Sequence, residues 1–265
     1  MKGRVLIVAG SDSGGGAGIQ ADIKAVTMLG AFAATAITAL TAQNTEGVFG
    51  ILPIPPDFIR QQMAVVLDDI GADAIKTGML HDAAVIETVA AVLAEAAASV
   101  PLVVDPVMVA KGGAKLIEDG AIDALKRLLA SRAAVLTPNL PEAEILCGRA
   151  IASVADMKDA ATLLLRLGCG AVLLKGGHLP GAVVTDVLAT ASGFRIWESP
   201  RIDSRHTHGT GCTLASAIAA GLAQGLAVEA AVDRARTYVQ KAILSAPGFG
   251  HGHGPLDHAH PLTAA

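Results

Sequence analysis

The chain of 265 residues carries 20 Lys and Arg against 24 Asp and Glu, a net charge of −4, and is 52% hydrophobic but only 3% aromatic. That length exceeds the usual domain size of roughly 100–150 residues, yet α/β folds of about 250 residues are routinely one domain, so a single domain over 1–265 is expected. The acidic balance and the lack of a basic run exclude a nucleic-acid groove or an anionic-membrane surface.

An interior this poor in aromatics must be packed with Ala, Val, Leu and Ile, which suits helices laid on a parallel sheet. Three widely spaced cysteines, Cys147, Cys169 and Cys212, fit a reducing compartment, and a cytoplasmic location is expected. The N-terminus has only a short apolar stretch before polar, glycine-rich sequence, so no signal peptide is expected. Two windows, 83–104 and 209–228, have the length of membrane spans. The first holds Glu87 and Glu95 and the second is built from Ala, Gly, Thr and Ser, so both read as buried helices.

Taken in order, apolar runs alternate with helix-length segments, the pattern of βα units on a parallel sheet. Strands are expected at 4–9, 32–40, 74–76, 102–104, 134–136 and 171–174. Helices are expected at 15–29, 58–69, 83–98, 121–129 and 157–167. Two runs, 183–189 and 194–198, flank Ser192-Gly193, a hairpin signal that places antiparallel strands at one edge of the sheet. Helices after His208 and over 228–245 complete the chain. The fold class expected is α/β, a mostly parallel sheet flanked by helices on both faces.

Ligands of open α/β sheets bind beyond the carboxyl ends of the strands. The residues there are Gly10, Ser11 and Asp12, then Gln43-Asn44, Gly78-Met79, Asp105-Pro106, Pro138-Asn139 and Lys175-Gly176. The run GSDSGGGAG fits neither a Walker loop, since Ile19-Gln20 stands where Lys-Ser or Lys-Thr is needed, nor G-x-G-x-x-G. It reads either as part of a site or as a flexible strand-to-helix turn. Asp22 sits in the first turns of the following helix, where it caps the helix or bonds a substrate amine. Asn139 and Glu142 have the spacing of a capping box, and their oxygens are also of the kind Mg²⁺ prefers. Asp105 ends LVVD, placed to serve a metal-bound phosphate. Lys175 ends AVLLK beside glycines, as a phosphate partner would.

The sharpest signal is HGTGC at 208–212, running directly into a helix. The first N–H groups of a helix lack intrahelical partners and carry about half a positive charge, so the stretch is an anion site in outline. Gly209 and Gly211 let an anion approach the main chain. Cys212 on the first turn is expected to have a lowered thiol pKa. A small buried thiol after an ordinary turn is the plainer reading. Four late histidines, His251, His253, His258 and His260, suggest a loop-rich tail more than a metal site.

Together GSDSGGGAGIQADIKA, ITALTAQNT, TGMLHD, VVDPVMVAKGG, LTPNLPEAE, LLKGGH, THGTGCTLASAIAA and GHGHGPLDHAH resemble, in order and over nearly the whole chain, the hydroxymethylpyrimidine/phosphomethylpyrimidine kinases of thiamine biosynthesis, members of the ribokinase-like superfamily. The resemblance implies transfer of the ATP γ-phosphoryl group, with Mg²⁺, to 4-amino-5-hydroxymethyl-2-methylpyrimidine and then to its monophosphate. It implies a pyrimidine site of Gln43, Gly10, Asp22, Met79 and Val107, and an anion hole of Gly209, Thr210, Gly211 and Cys212. Asp105, Asn139, Glu142 and Lys175 match positions associated with Mg²⁺ and phosphate. Most ribokinase-like enzymes carry an aspartate base where this chain has Cys212; the pyrimidine kinases typically carry cysteine. A homodimer is expected, as is the absence of a fused thiamine-phosphate synthase domain. The alternatives are a pyridoxal kinase, disfavoured because VMVAKGGAKL has Ala110 where some pyridoxal-specific relatives carry cysteine, and a non-catalytic binding module.

Overall fold

Apolar residues alternate across the first strand, and that alternation sets the layering of the molecule. In β1 (Arg4–Asp12), Leu6 and Val8 face one core while Val5, Ile7 and Ala9 face the other. The computed structural model describes residues 1–109, 116–118 and 120–263. Parallel to β1 run β2 (Phe32–Gln43) on one side and β4 (Ala74–Thr77) on the other, followed by β5 (Leu102–Val104), β6 (Val135–Leu136) and β7 (Ala171–Leu174). The expected hairpin is present as β8 (Val183–Thr190) and β9 (Gly193–Pro200), antiparallel at the β7 edge. The nine strands form one sheet in the order β3-β2-β1-β4-β5-β6-β7-β8-β9.

The opposite edge holds β3 (Val48–Pro53), antiparallel to β2 and absent from the sequence-based expectation. Its run VFGILP is interrupted by Gly50, ends in proline and leaves Phe49 and Leu52 exposed, so the pattern of a half-buried strand is missing. Both β1 and β2 run three residues beyond their expected ends. Asp12 and Gln43 are therefore the last residues of strands, held by ladder hydrogen bonds rather than by loops.

On one face lie α1 (Gly18–Met28), α7 (Thr210–Ala223) and α8 (Val228–Leu244). The other carries α2 (Pro56–Asp69), α3 (Ala83–Ala96), α4 (Ala121–Ala124), α5 (Leu140–Cys147) and α6 (Val154–Leu165). The helix expected at 121–129 begins as α4 and widens into a π turn at Leu125–Leu129. Each fully buried Leu, Ile or Val contributes roughly 1.5–3 kcal/mol, so two such cores hold the layers firmly.

Small residues let α7 sit at the centre of its layer. A Cβ on Gly221 would lie only 2.7 Å from Ala231 Cβ, so α7 and α8 meet at a distance that only small side chains permit. The chain closes with α9 (His260–Thr263). Ala110 and the rest of 110–115 lie outside the described residues, so the contrast drawn at Ala110 has no structural counterpart here. No helix among the described residues is long and apolar enough to cross a membrane.

Candidate active site

The carboxyl ends of the parallel strands open onto a cavity of about 1080 Å³. Of the residues singled out from sequence, Gly10, Gln43, Met79, Asp105, Val107, Asn139, Glu142, Lys175 and 209–212 all line it. Asp22 does not.

At the centre of the cavity is the start of α7. Gly209, its N-cap residue, adopts φ of 79°, and a Cβ there would fall 1.8 Å from the carbonyl oxygen of Gly16. Glycine is thus required twice over, by conformation and by close approach. No side chain caps this helix, so its N-terminal dipole is left for a ligand. Thr210 turns its hydroxyl back onto Thr207 O at 2.7 Å and contributes main chain to the site. A Cβ on Gly211 would stand 3.2 Å from Lys175 Nζ and 3.8 Å from Asp105 Oδ2. Lys175 reaches Asp105 Oδ1 at 3.0 Å, and Thr137 donates to the same oxygen at 3.0 Å. Burial works against the Lys175 ammonium, but Asp105 and Glu142 more than offset it and hold its pKa above the ordinary value.

Beneath this point lies a lysine that sequence reasoning missed. Lys76, on β4, has no exposed surface; its Nζ meets Asp22 Oδ2 at 2.8 Å, and Ser216 Oγ donates to Asp22 Oδ1 at 2.7 Å. Asp22 is thereby consumed. It neither caps α1, whose N-cap is Ala17, nor faces the cavity, so both of its expected roles are corrected: it is the buried counter-ion of Lys76. Gly78 leaves room for this lysine, since a Cβ there would sit 2.9 Å from its Nζ. A lone lysine inside an all-apolar strand was the available signal, because an unpaired buried ammonium is too costly to persist.

Cys212 is partly buried against the cavity. Desolvation pushes its thiol up to about 12; Lys76 and a hydrogen bond from Gly18 N–H pull it down, and Asp22 and Asp105 push it further up. The lowered pKa expected from the helix terminus is corrected accordingly. Loss of water outweighs the dipole, and the thiol is protonated at neutral pH.

At the other end, the glycine-rich run is ordered by a carboxylate of its own. Asp12 accepts from the N–H groups of Gly14 at 2.8 Å, Gly16 at 3.1 Å and Ala17 at 2.8 Å. Its Oδ2 also meets His208 Nε2 at 2.8 Å. Burial alone would raise Asp12, but His208 and these N–H groups outweigh it and hold the carboxyl below its usual value. His208 Nε2 also lies 3.3 Å from the Gln43 amide. A carboxylate only accepts, so the His208 proton points at Asp12. The Gln43 NH₂ faces His208 and its Oε1 lies 3.2 Å from the Thr41 hydroxyl, which donates to Ser11 O at 2.8 Å. Met79 and Leu116, with Ala39, Ile51 and Val107, form an apolar cluster beside Gln43. Sequence reasoning had no route to the Asp12–His208 pair, whose members are 196 positions apart.

Residues 12–257 match the family model described as phosphomethylpyrimidine kinase. The chain belongs to that family. It is 53% identical to the thiamine biosynthesis bifunctional protein ThiED of Geobacter sulfurreducens over 97% of this chain, spanning 52%, about half, of that relative's length. It is 47% identical to the hydroxymethylpyrimidine/phosphomethylpyrimidine kinase of Bacillus subtilis, covering 96% of this chain and 94% of the relative. The fold is similar to that of B. subtilis pyridoxal kinase, solved as an ADP complex (TM-score 0.91, 36% identity, 99% and 100% of the two chains), and of phosphomethylpyrimidine kinase from Clostridium difficile (TM-score 0.82, 39% identity, 91% and 100%). The ribokinase-like architecture and the kinase class stand on these likenesses, and a non-catalytic binding module is set aside.

For this kinase family a divalent cation is the natural companion of the phosphates, and the donor set here fits one. The capping box is present in full: Glu142 N donates to Asn139 Oδ1 at 2.9 Å and Asn139 N to Glu142 Oε2 at 2.8 Å. Glu142 is nevertheless more than a cap. Burial, reinforced by Asp105, raises its carboxyl to about 7 against the pull of Lys175 and two backbone N–H groups. Asp105 and Glu142, both lining the cavity, are carboxylates of the kind that suits Mg²⁺, which takes one or two protein carboxylates and fills its shell with phosphate oxygens and water. Among the described residues no group of three or more His, Cys, Asp or Glu forms an all-protein metal cage.

The sign of the Glu142 shift gives a test. A carboxyl raised from 4.5 to about 7 in the fold contributes stability that is complete below pH 4.5 and lost as pH rises through 7. Glu142→Gln keeps the capping geometry. Its melting temperature is expected to fall less than the wild type's between pH 5 and pH 8, and Mg²⁺ at pH 8 is expected to stabilise the wild type more than the variant. Parallel pH curves with equal Mg²⁺ responses would count against this role.

Proposed function

We propose that the chain phosphorylates 4-amino-5-hydroxymethyl-2-methylpyrimidine with ATP and then phosphorylates the monophosphate to the diphosphate, within thiamine biosynthesis. The observation that carries the proposal is the convergence of Lys175, Asp105 and the uncapped start of α7 on one point, beside a ring-sized apolar wall with a single amide. Phosphoryl transfer asks the protein mainly to position reactants and to neutralise spread negative charge.

Each residue then has a task. The Gln43 amide reads the polar edge of the pyrimidine while Met79 and Val107 cover its face and Gly10 leaves space against Met79 Sδ. The hydroxymethyl group points at Cys212. The N–H groups at 209–212 and the Lys175 ammonium hold the transferred phosphoryl oxygens. Asp105 and Glu142, beside Asn139, would hold Mg²⁺, which when bound supplies charge neutralisation at the phosphates. Cys212 receives the alcohol's proton as the thiolate: its own proton is first released to solvent, and the charge of Lys76 stabilises the thiolate left behind. Val239 and Ile243 of α8, with Leu214, line an apolar part of the same cavity that suits an adenine ring.

The pyridoxal alternative shares this geometry, but identity is higher to the pyrimidine kinases, at 47%, than to the pyridoxal kinase, at 36%. One domain over 1–265 is supported by the single continuous sheet. Three unpaired cysteines support a reducing, cytoplasmic setting. A second copy of the chain is the expected partner, and Leu40 and Leu52, paired across β2 and β3 and both exposed, are apolar surface that such a contact would cover.

The deciding experiment offers ATP, Mg²⁺ and either the hydroxymethylpyrimidine or pyridoxal, with products identified by mass. A pyrimidine diphosphate is expected; pyridoxal 5′-phosphate as the sole product would overturn the substrate assignment. Cys212→Ala should lower kcat about 10²-fold or more with the fold retained, the scale of general-base loss, and an unchanged rate would remove Cys212 from the chemistry. Gln43→Ala should raise the KM for pyrimidine more than that for ATP; equal rises would place the ring elsewhere.

A further inference from the structure

The late histidine-rich run GHGHGPLDHAH has no part in the chemistry above, yet it is not a loose tail. It runs from the turn after Gln43 to the first turn of α7 and is pinned at both ends. At one end it meets the turn after Gln43. His253 N donates to Thr45 O at 2.8 Å and Gly252 N to Thr45 Oγ1 at 3.2 Å. The approach is so close that a Cβ on Gly252 would lie 2.1 Å from Thr45 O and one on Gly250 2.3 Å from Thr45 Oγ1.

In the middle it pairs with the turn that leads into the anion hole. His208 N donates to Gly254 O at 3.2 Å, His208 and Pro255 form a parallel bridge, and a Cβ on Gly254 would strike His206 Nδ1 at 2.2 Å. At the far end His258 is buried, and its Nε2 lies 2.9 Å from the hydroxyl of Thr213, the residue after Cys212 on α7. Tyr238 OH, from α8, donates to His258 O at 2.7 Å and fixes the strap from behind. Burial pushes His258 down to about 4, so its ring is neutral and able to accept the Thr213 proton.

We propose that this segment, 250–258, is a positioning strap that sets the distance between the pyrimidine-reading Gln43 turn and the phosphoryl-transferring start of α7, with His258 and Gly252 as its two anchoring residues. The proposal rests on the functional reading above. Neither anchor touches substrate; each acts through a neighbour, Thr213 beside Cys212 or Thr45 beyond Gln43. The glycines at 250, 252 and 254 are explained by close approach rather than by flexibility, and His253 and His258 by hydrogen bonding rather than by metal. Displacing reacting atoms by about 1 Å can cost on the order of 10²-fold in rate, which is the lever such a strap controls.

The two anchors make separable predictions in steady-state kinetics on the full chain. His258→Leu should lower kcat about tenfold or more while the pyrimidine KM stays within about twofold, because the α7 end moves and the Gln43 end does not. His258→Gln, whose amide can still accept from Thr213, should recover most of that loss. Gly252→Ala should do the reverse, raising pyrimidine KM about tenfold with little change in kcat. His251→Ala, at an exposed position on the same run, should match the wild type. ADP binding by calorimetry should be unchanged in every variant that melts as the wild type does. A loss of kcat and KM together in proportion to lost melting temperature, or no kinetic change at either anchor, would overturn the strap. Should His258→Leu fail to fold, the Gly252→Ala and His258→Gln kinetics decide alone. A wild type with no pyrimidine turnover would instead overturn the underlying functional reading, an outcome distinct from the variants' behaviour.

Discussion

Lys76 has no exposed surface and carries a charge, and much of the site is arranged around that fact. Removing two charges from water costs several kcal/mol per ion, which only good geometry and additional hydrogen bonds can offset. Asp22 from α1 supplies the counter-charge and Ser216 from α7 completes the shell of Asp22. The pair thus ties the sheet to two helices directly under the cavity. Its consequence for chemistry is electrostatic. An ammonium held charged by Asp22 sits within range of Cys212 and draws its thiol toward ionisation, while Asp22 and burial push the other way. A buried ion pair so placed sets the charge environment of Cys212.

Above that pair, positive potential is gathered from sources that water cannot easily screen. The start of α7 is uncapped, Lys175 is largely desolvated and Gly211 keeps the space between them open. Negative charge is placed with equal care: Asp12 is spent on ordering the glycine run, Asp105 on aligning Lys175, and Glu142 is held at a raised pKa that a cation would relieve. The site therefore looks prepared for an anion and its counter-ion together. Because these donors are fixed by strands and helices, they need little reorganisation when charge develops in the transition state.

Much of this was legible in the sequence, for reasons that can be stated residue by residue. Strand ends followed by glycine or polar residues lie on one rim in any open α/β sheet, which is why Gly10, Gln43, Met79, Asp105, Asn139 and Lys175 were found by position alone. HGTGC announced its helix terminus through glycine chemistry and the small-residue run behind it. What stayed hidden depends on three dimensions. Lys76 pairs with a residue 54 positions away and His208 with one 196 away, separations that no local pattern encodes. Asp22 looked like a cap or a ligand because sequence does not say which way a helix turns its first carboxylate. Cys212 looked acidic because a helix terminus can be read from sequence and desolvation cannot. The strand β3 lacked alternation, and the ordered strap at 250–258 reads as a tail until its glycines are seen pressed against Thr45 and His206.

The central physical claim is that burial keeps Cys212 protonated while the buried Lys76–Asp22 pair biases it toward the thiolate, and thiolate absorbance tests it most directly. Titrating the wild type, with a Cys212→Ser variant subtracted to remove Cys147 and Cys169, should show Cys212 ionising well above the ordinary thiol pKa of about 8.5. The same titration in a Lys76→Met/Asp22→Asn double variant, which removes both buried charges together, should move that ionisation further up, since the pull of Lys76 on the thiol exceeds the push of Asp22. A Cys212 already ionised at neutral pH, or one whose titration ignores the double variant, would contradict the claim.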